Sequence, residues 1–223
     1  MKKVGKGKAR VFVVDDHPIL RQGLAALVNQ QPDLMICGEA DDALTALKNM
    51  ASSKPDVLIV DISLKGMDGI ELIKRMKIQY PDLAILVVSM HDESLYAERV
   101  LRAGARGFVM KEEATEEMVR SIREVLNGEI AVSEKVASHM VHKLIESGSH
   151  FTGSPIENLT DRELEVFRLI GQGHTTREIA EELHLSIKTI QAYRELIKKK
   201  LKLKNSTELV RRAVECQKTE SST

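Results

Sequence analysis

The chain has 223 residues, 33 basic and 33 acidic side chains, and no net formal charge. Its 43% apolar content suits ordinary globular cores, and no run of about 18 apolar residues is available to cross a bilayer. Cys37 and Cys216 are isolated thiols without a Cys-x-x-Cys spacing, which argues against a disulfide or metal–thiolate framework.

The first segment, "MKKVGKGKAR", is basic, but Asp15 and Asp16 interrupt any apolar signal segment after it. The expectation is a cytoplasmic protein with no membrane partner and a short basic tail over residues 1–9. From there, apolar strand-like runs alternate with amphipathic helical stretches. The runs are "VFVV" (11–14), "LMICGEA" (34–40), "VLIV" (57–60), "AILVVS" (84–89) and "GFVM" (107–110). Strands fed by helices at this spacing read as βαβ units, and near-continuous Val/Ile/Leu runs fit a parallel sheet buried on both faces. Residues 10–128 therefore read as a doubly wound α/β domain with five parallel strands.

After Gly128 the strand-like runs stop. Residues 129–155 read as a linker containing a helix, with Val136, Met140, Val141 and Leu144 on one face, followed by the Gly/Ser-rich "SGSHFTGSP". Residues 156–217 read as a small all-α domain of four helices, with a C-terminal tail over 218–223. "LTDRELEVFRLIGQG" opens with Thr160 and Glu163 at capping-box spacing, and Gly171 and Gly173 can close it. "TTREIAEELH", "IKTIQAYRELIKKKL" and "STELVRRAVEC" supply the other three helices, the last capped by Ser206 or Thr207.

The chemistry gathers at strand ends, where open parallel sheets bind ligands. Asp15 and Asp16 end the first strand, Asp61 the third and Ser89 the fourth, and Lys111 follows the fifth. Three carboxylates in one crevice call for a cation, and hard oxygen donors suit Mg²⁺. With Mg²⁺ and Lys111 neutralising phosphoryl oxygens, one carboxylate can act as nucleophile and carry an acyl phosphate. Asp61, alone in mid-sheet, is the expected phosphoacceptor, and the Asp15–Asp16 pair suits metal binding with it.

The segments "VFVVDDHPILRQGL", "PDVLIVDISLKGMDGIEL", "ILVVSMHDE" and "AGARGFVMKEEATEEMVRSI" resemble a flavodoxin-like response-regulator receiver domain. The resemblance implies that a sensor histidine kinase phosphorylates Asp61, with Mg²⁺ at Asp15, Asp16 and Asp61. It implies that Ser89 and Lys111 read the phosphate and that Phe108 is the aromatic switch residue, where other family members often carry Tyr or His. Ser63 and His91 fall where the family tunes phosphate lifetime, and Lys65 stands where the subgroup commonly has Pro.

A balanced total charge hides a local excess. Between Ser186 and Lys204 there are seven basic residues and one acid, Glu195, giving +6. Such a face marks a nucleic-acid contact or a solvated Lys-rich helix. "TREIAEELHLSIKTIQAYRELIKKKL", with "LTDRELEVFRLI" before it and "LKNSTELVRRAV" after it, resembles the LuxR-type helix-turn-helix of the NarL/FixJ family. On the third helix Ile187, Ile190 and Ile197 are expected in the core, with Leu201 further on. That leaves Lys188, Gln191, Ala192 and Glu195 toward the groove, with Gln191, Ala192 and Glu195 as base readers. Thr189, Tyr193, Arg194, Lys198 and Lys199 are expected on the phosphate backbone, while Glu195 can equally be an i,i+4 partner of Lys199.

The resemblance further implies a homodimer when phosphorylated, paired through Leu209, Val210 and Ala213 on double-stranded inverted-repeat DNA. No enzymatic turnover is expected beyond Mg²⁺-dependent phosphotransfer and slow dephosphorylation. A phosphohydrolase with an Asp nucleophile would carry an acid two residues on, where this chain has Ser63. A receiver with a purely protein-binding output is disfavoured by the basic third helix.

Overall fold

The structure, a computed structural model, describes residues 7–64, 67–113, 115–146 and 155–220. Lys65, Leu144's side chain and most of the Gly/Ser-rich segment lie outside the described residues. The chain forms two compact units, Met1–Glu146 and Ser147–Thr223.

The first unit is a five-stranded parallel sheet: β1 (Ala9–Val14), β2 (Leu34–Ala40), β3 (Val57–Val60), β4 (Ala84–Ser89) and β5 (Gly107–Met110), in the order β2-β1-β3-β4-β5. Ala9, assigned to the tail by sequence, is already paired with Leu34. Helices α1 (Pro18–Asn29), α2 (Ala43–Ser53), α3 (Gly69–Gln79), α4 (Glu93–Ala103) and α5 (Thr115–Leu126) make the crossovers. On one face Val11, Val13, Ile59, Leu86 and Val88 form a core with Leu24 and Val28 of α1 and Met118, Ile122 and Val125 of α5. Strand alternation sends Phe12, Leu58, Ile85 and Phe108 to the other face, which α2, α3 and α4 cover. Every residue of β3 and β4 is buried, as the unbroken apolar runs require.

Helix α6 (Glu134–Glu146) belongs to this first unit and packs on α4 instead of standing as a separate linker helix. Lys143 Nζ lies 2.7 Å from Glu98 Oε2, and Val136 is buried. Burial would raise the Glu98 pKa, but Lys143 and Arg102 outweigh it and hold the carboxyl low. Val141, expected on the packed face, is exposed, and so is Ile145.

The second unit holds α7 (Asp161–Gly171), α8 (Thr176–Glu182), α9 (Ile187–Lys200) and α10 (Ser206–Glu220), after a 3-10 turn at Pro155–Asn158. Helix α10 runs past residue 217 into what the sequence suggested as a tail. Thr160 and Glu163 form the anticipated capping box on α7, and Thr175 with Glu178 forms a second on α8. Gly173, at φ +91°, follows α7. Gly171 lets α10 approach, because a Cβ there would sit 2.7 Å from the Ala213 carbonyl oxygen.

Three further sequence expectations fail in this unit. Asn205, and not Ser206 or Thr207, receives the Glu208 N–H at the start of α10. Leu209 and Ala213 are buried in their own domain, where α10 lies along α7, so they are not a free dimer surface; Val210 alone of the three is exposed. Ile187 is exposed, because it opens α9 one turn before the packed stripe of Ile190 and Ile197 begins.

Candidate functional site

Strands β1 and β3 are neighbours in register, Val14 opposite Val60, so the residues that follow them, Asp15 and Asp61, come out side by side. The Asp61 N–H donates to the Val14 carbonyl at 2.9 Å and fixes the level. The chain leaves β1 and β3 toward opposite faces of the sheet, the position where flavodoxin-like folds open a ligand crevice. On the other side, Ser89 pairs with Met110, and the Lys111 N–H donates to the Ser89 carbonyl at 2.9 Å. Lys111 therefore reaches back across the strand ends. Its Nζ lies 2.8 Å from Asp15 Oδ2 and 2.7 Å from Asp61 Oδ2, and all three side chains are about 2% exposed.

This crevice is anionic on balance. Burial pushes the Asp61 pKa up, and repulsion from Asp15 adds to it, although Lys111 opposes both. Burial would lower the Lys111 pKa, but Asp61 and Asp15 reverse that and raise it. One ammonium thus serves two buried carboxylates, with Asp16 beside them. Asp15, Asp16, His17 and Asp61 each offer a ligand atom, and these atoms all lie within 4.8 Å of one another. The three carboxylates supply hard oxygen donors with excess negative charge, which fits a divalent cation.

Neighbouring groups hold the carboxylates in place. The His17 N–H donates to Asp15 Oδ1 at 2.8 Å, and Arg21 Nη1 donates to the Asp15 carbonyl at 2.6 Å. The Ser63 N–H donates to Asp61 Oδ1 at 3.2 Å. The Ser63 hydroxyl lies 2.6 Å from His91 Nε2, and the His91 ring stacks on Tyr96 of α4 at 4.7 Å between centroids. The His91 N–H donates to Ser89 Oγ at 3.2 Å, so Ser89, fully buried, is tied into the same group. Phe108, at the second position of β5, is also buried. Gly69 opens α3 against the loop after Asp61, where a Cβ on it would collide with the Asp61 carbonyl oxygen.

Arg21, Gly69 and Tyr96 escaped the sequence reading, as did the direction of the His17 ring. The "DDHP" run was visible, but the imidazole's orientation depends on the backbone turn after β1. Gly69 sits in "GMDGIEL", where an Asp-Gly pair at a helix start signals close backbone approach.

On α9, Ser186 caps the helix by accepting from the Thr189 N–H, and the two hydroxyls lie 2.7 Å apart. Thr189 is therefore engaged in the cap. Lys188, Gln191, Ala192, Glu195 and Lys199 are exposed, whereas Tyr193, Arg194 and Lys198 are half-buried. Glu195 pairs at 2.9 Å with Lys198, three residues on, instead of with Lys199. Lys200 is paired at 2.5 Å with the buried Glu163 of α7, which makes it part of the domain's own framework. The turn between α8 and α9 is closed by His184 at φ +53°, with the Leu185 N–H donating to the Ala180 carbonyl at 2.9 Å. Two helices thus meet at a short turn, and the second presents an exposed polar face.

Residues 11–123 match the response regulator receiver domain, and residues 157–213 match the bacterial regulatory proteins of the luxR family. The oxygen regulatory protein NreC of Staphylococcus carnosus is 32% identical over 92% of this chain and 96% of its own length. NreC of Staphylococcus aureus strain JH9 is 34% identical over the same shares. A solved structure of RcsB from Salmonella enterica serovar Typhimurium, bound to promoter rprA in the presence of the phosphomimetic BeF3−, is similar at a TM-score of 0.61. It is 28% identical, with 93% of this chain and 99% of that one covered. No described helix is long and apolar enough to cross a membrane. With a receiver crevice in the first unit and an exposed helix-turn-helix face in the second, the chain belongs to the two-component response regulators of the NarL/FixJ type, which join a receiver to a LuxR-type DNA-binding domain.

Proposed function

We propose that this regulator is phosphorylated on Asp61 by a sensor histidine kinase, and that the modification promotes dimerisation and sequence-specific DNA binding. The observation that carries the reading is the convergence of Asp15, Asp61 and Lys111 within 2.8 Å contacts at the ends of β1, β3 and β5. Asp15, Asp16 and Asp61 would hold Mg²⁺, which neutralises phosphoryl oxygens when bound. An Asp61 carboxylate oxygen attacks phosphorus, and the bond from phosphorus to the donor imidazole breaks. Lys111 then pairs with a phosphoryl oxygen, and the Ser89 hydroxyl donates to another. The chain performs this transfer and a slow hydrolysis of its own acyl phosphate, and no other turnover.

The output is transcription regulation through α9 on double-stranded, inverted-repeat DNA. Gln191, Ala192 and Glu195 read base edges, and Lys188, Arg194 and Lys199 hold phosphates. RcsB structures that contain DNA support this reading for a similar chain.

The test is intact mass after incubation with acetyl phosphate and Mg²⁺, for wild type and Asp61→Asn. One added phosphoryl group in the wild type alone, lost at alkaline pH, is the expected result. DNA affinity and sedimentation on the same samples complete it. Equal DNA affinity of phosphorylated and unmodified wild type would refute the switch.

A further inference from the structure

The turn after β1 brings a fourth donor to the acidic crevice. His17 Nδ1 lies 2.8 Å from Asp16 Oδ1 and 3.3 Å from Asp15 Oδ1. His17 occupies the N-cap position of α1, yet its side chain makes no capping hydrogen bond there. Pro18 follows, so the first N–H of the helix is missing and the ring has one fewer backbone donor to serve. The backbone is anchored, because its N–H donates to Asp15 Oδ1 at 2.8 Å. The imidazole itself is 60% exposed, so small rotations about its side-chain bonds cost little packing.

We propose that His17 is a fourth protein ligand of the cation centre. The centre then binds borderline divalent ions of the Mn²⁺, Co²⁺ and Zn²⁺ class in competition with Mg²⁺. This rests on the reading of Asp15, Asp16 and Asp61 as a metal centre. Mg²⁺ prefers oxygen donors and retains waters, so an imidazole adds little to its binding. The softer ions accept imidazole readily, and one nitrogen with carboxylate oxygens is an ordinary donor set for them. The four ligand atoms lie within 4.8 Å of one another, so a modest contraction brings them around one ion. His17 is in this sense a metal-specificity residue, and Mg²⁺ binding does not depend on it.

The experiment is calorimetric titration of the full-length protein with Mg²⁺ and with Zn²⁺, plus a visible-absorption titration with Co²⁺. It compares wild type, His17→Ala and Asp16→Asn. The wild type is expected to show one tight Zn²⁺ equivalent and a Co²⁺ d–d band altered by nitrogen ligation. His17→Ala is expected to weaken Zn²⁺ by about tenfold or more and to change the Co²⁺ band, while Mg²⁺ affinity stays within about twofold. Unchanged Zn²⁺ affinity and an unchanged Co²⁺ band in His17→Ala overturn the proposal while leaving the Mg²⁺ centre intact. A wild type that binds no divalent ion, or Asp16→Asn protein that binds Mg²⁺ and Zn²⁺ as well as wild type, overturns the centre and this extension together.

Discussion

Lys111 Nζ lies 2.7 Å from Asp61 Oδ2, and the same ammonium is 2.8 Å from Asp15 Oδ2. Two buried carboxylates therefore share one counter-charge. Removing one partner of a buried ion pair leaves the other uncompensated, at about 3–5 kcal/mol. Lys111→Met is expected to lower receiver stability by roughly that amount in urea melts at neutral pH, and added Mg²⁺ is expected to recover part of it. A melt matching wild type would show that the bridge does not balance the site.

The raised Asp61 pKa gives a signed pH dependence. Burial is its main cause, with Asp15 adding to it and Lys111 opposing. The folded state holds this proton more tightly than the unfolded chain does. Its contribution to stability is full below the usual carboxyl value of 3.8 and is lost as pH rises through the folded value. Asp61→Asn has no such titration. The stability of Asp61→Asn relative to wild type is therefore expected to increase as pH is raised from 4 through the acid range. Denaturant melts at stepped pH read this directly, and a difference that shrinks with rising pH contradicts it.

The exposed face of α9 separates affinity from specificity. Lys188→Ala is expected to weaken binding to all duplexes alike and to reduce the salt slope by about one. Gln191→Ala is expected to cost about 1–3 kcal/mol on the preferred site and to relax base choice at one position. Enrichment from random duplexes supplies the preferred site for both variants. The assignment of roles fails if Lys188→Ala alters the selected sequence and Gln191→Ala does not.

The Glu98–Lys143 pair fastens α6 to α4. Its two side chains are about one-fifth exposed, so a contribution of about 1 kcal/mol is expected, near the top of the range for accessible pairs. Glu98→Ala should accelerate hydrogen exchange of α6 amides by about fivefold. The exchanged pair, Glu98→Lys with Lys143→Glu, should restore protection. Equal exchange in all three proteins would mean that the buried Val136 contact holds the helix by itself.

Much of the first unit was legible because its physics is one-dimensional. A strand buried on both faces must be apolar throughout, so "VLIV", "AILVVS" and "GFVM" coincide with β3 to β5, and the edge run "LMICGEA" matches β2 although most of it is only half-buried. The acids at the strand ends were equally visible, since parallel strands put successive C-termini on one rim. What stayed hidden depends on pairings across space. Nothing near Lys143 in sequence names Glu98, 45 residues earlier. Nothing local sets Leu209 and Ala213 against α7, because an apolar stripe reads the same whether its partner is within the domain or in a second copy. Ile187 misled for a related reason: it continues the spacing of Ile190 and Ile197, but helix periodicity does not say where the neighbouring helix stops.

Gly69 carries no charge and donates no side-chain bond, yet its bare Cα lets α3 begin against the Asp61 carbonyl. A genetic screen for loss of signalling would thus return two kinds of lesion here. One kind removes an acid, Lys111 or Ser89. The other leaves every polar group intact and adds a single methyl group at position 69, a change that a search for missing functional groups would pass over. The Asp61 loop is shaped as strictly by an absence of atoms as by the residues that do the chemistry.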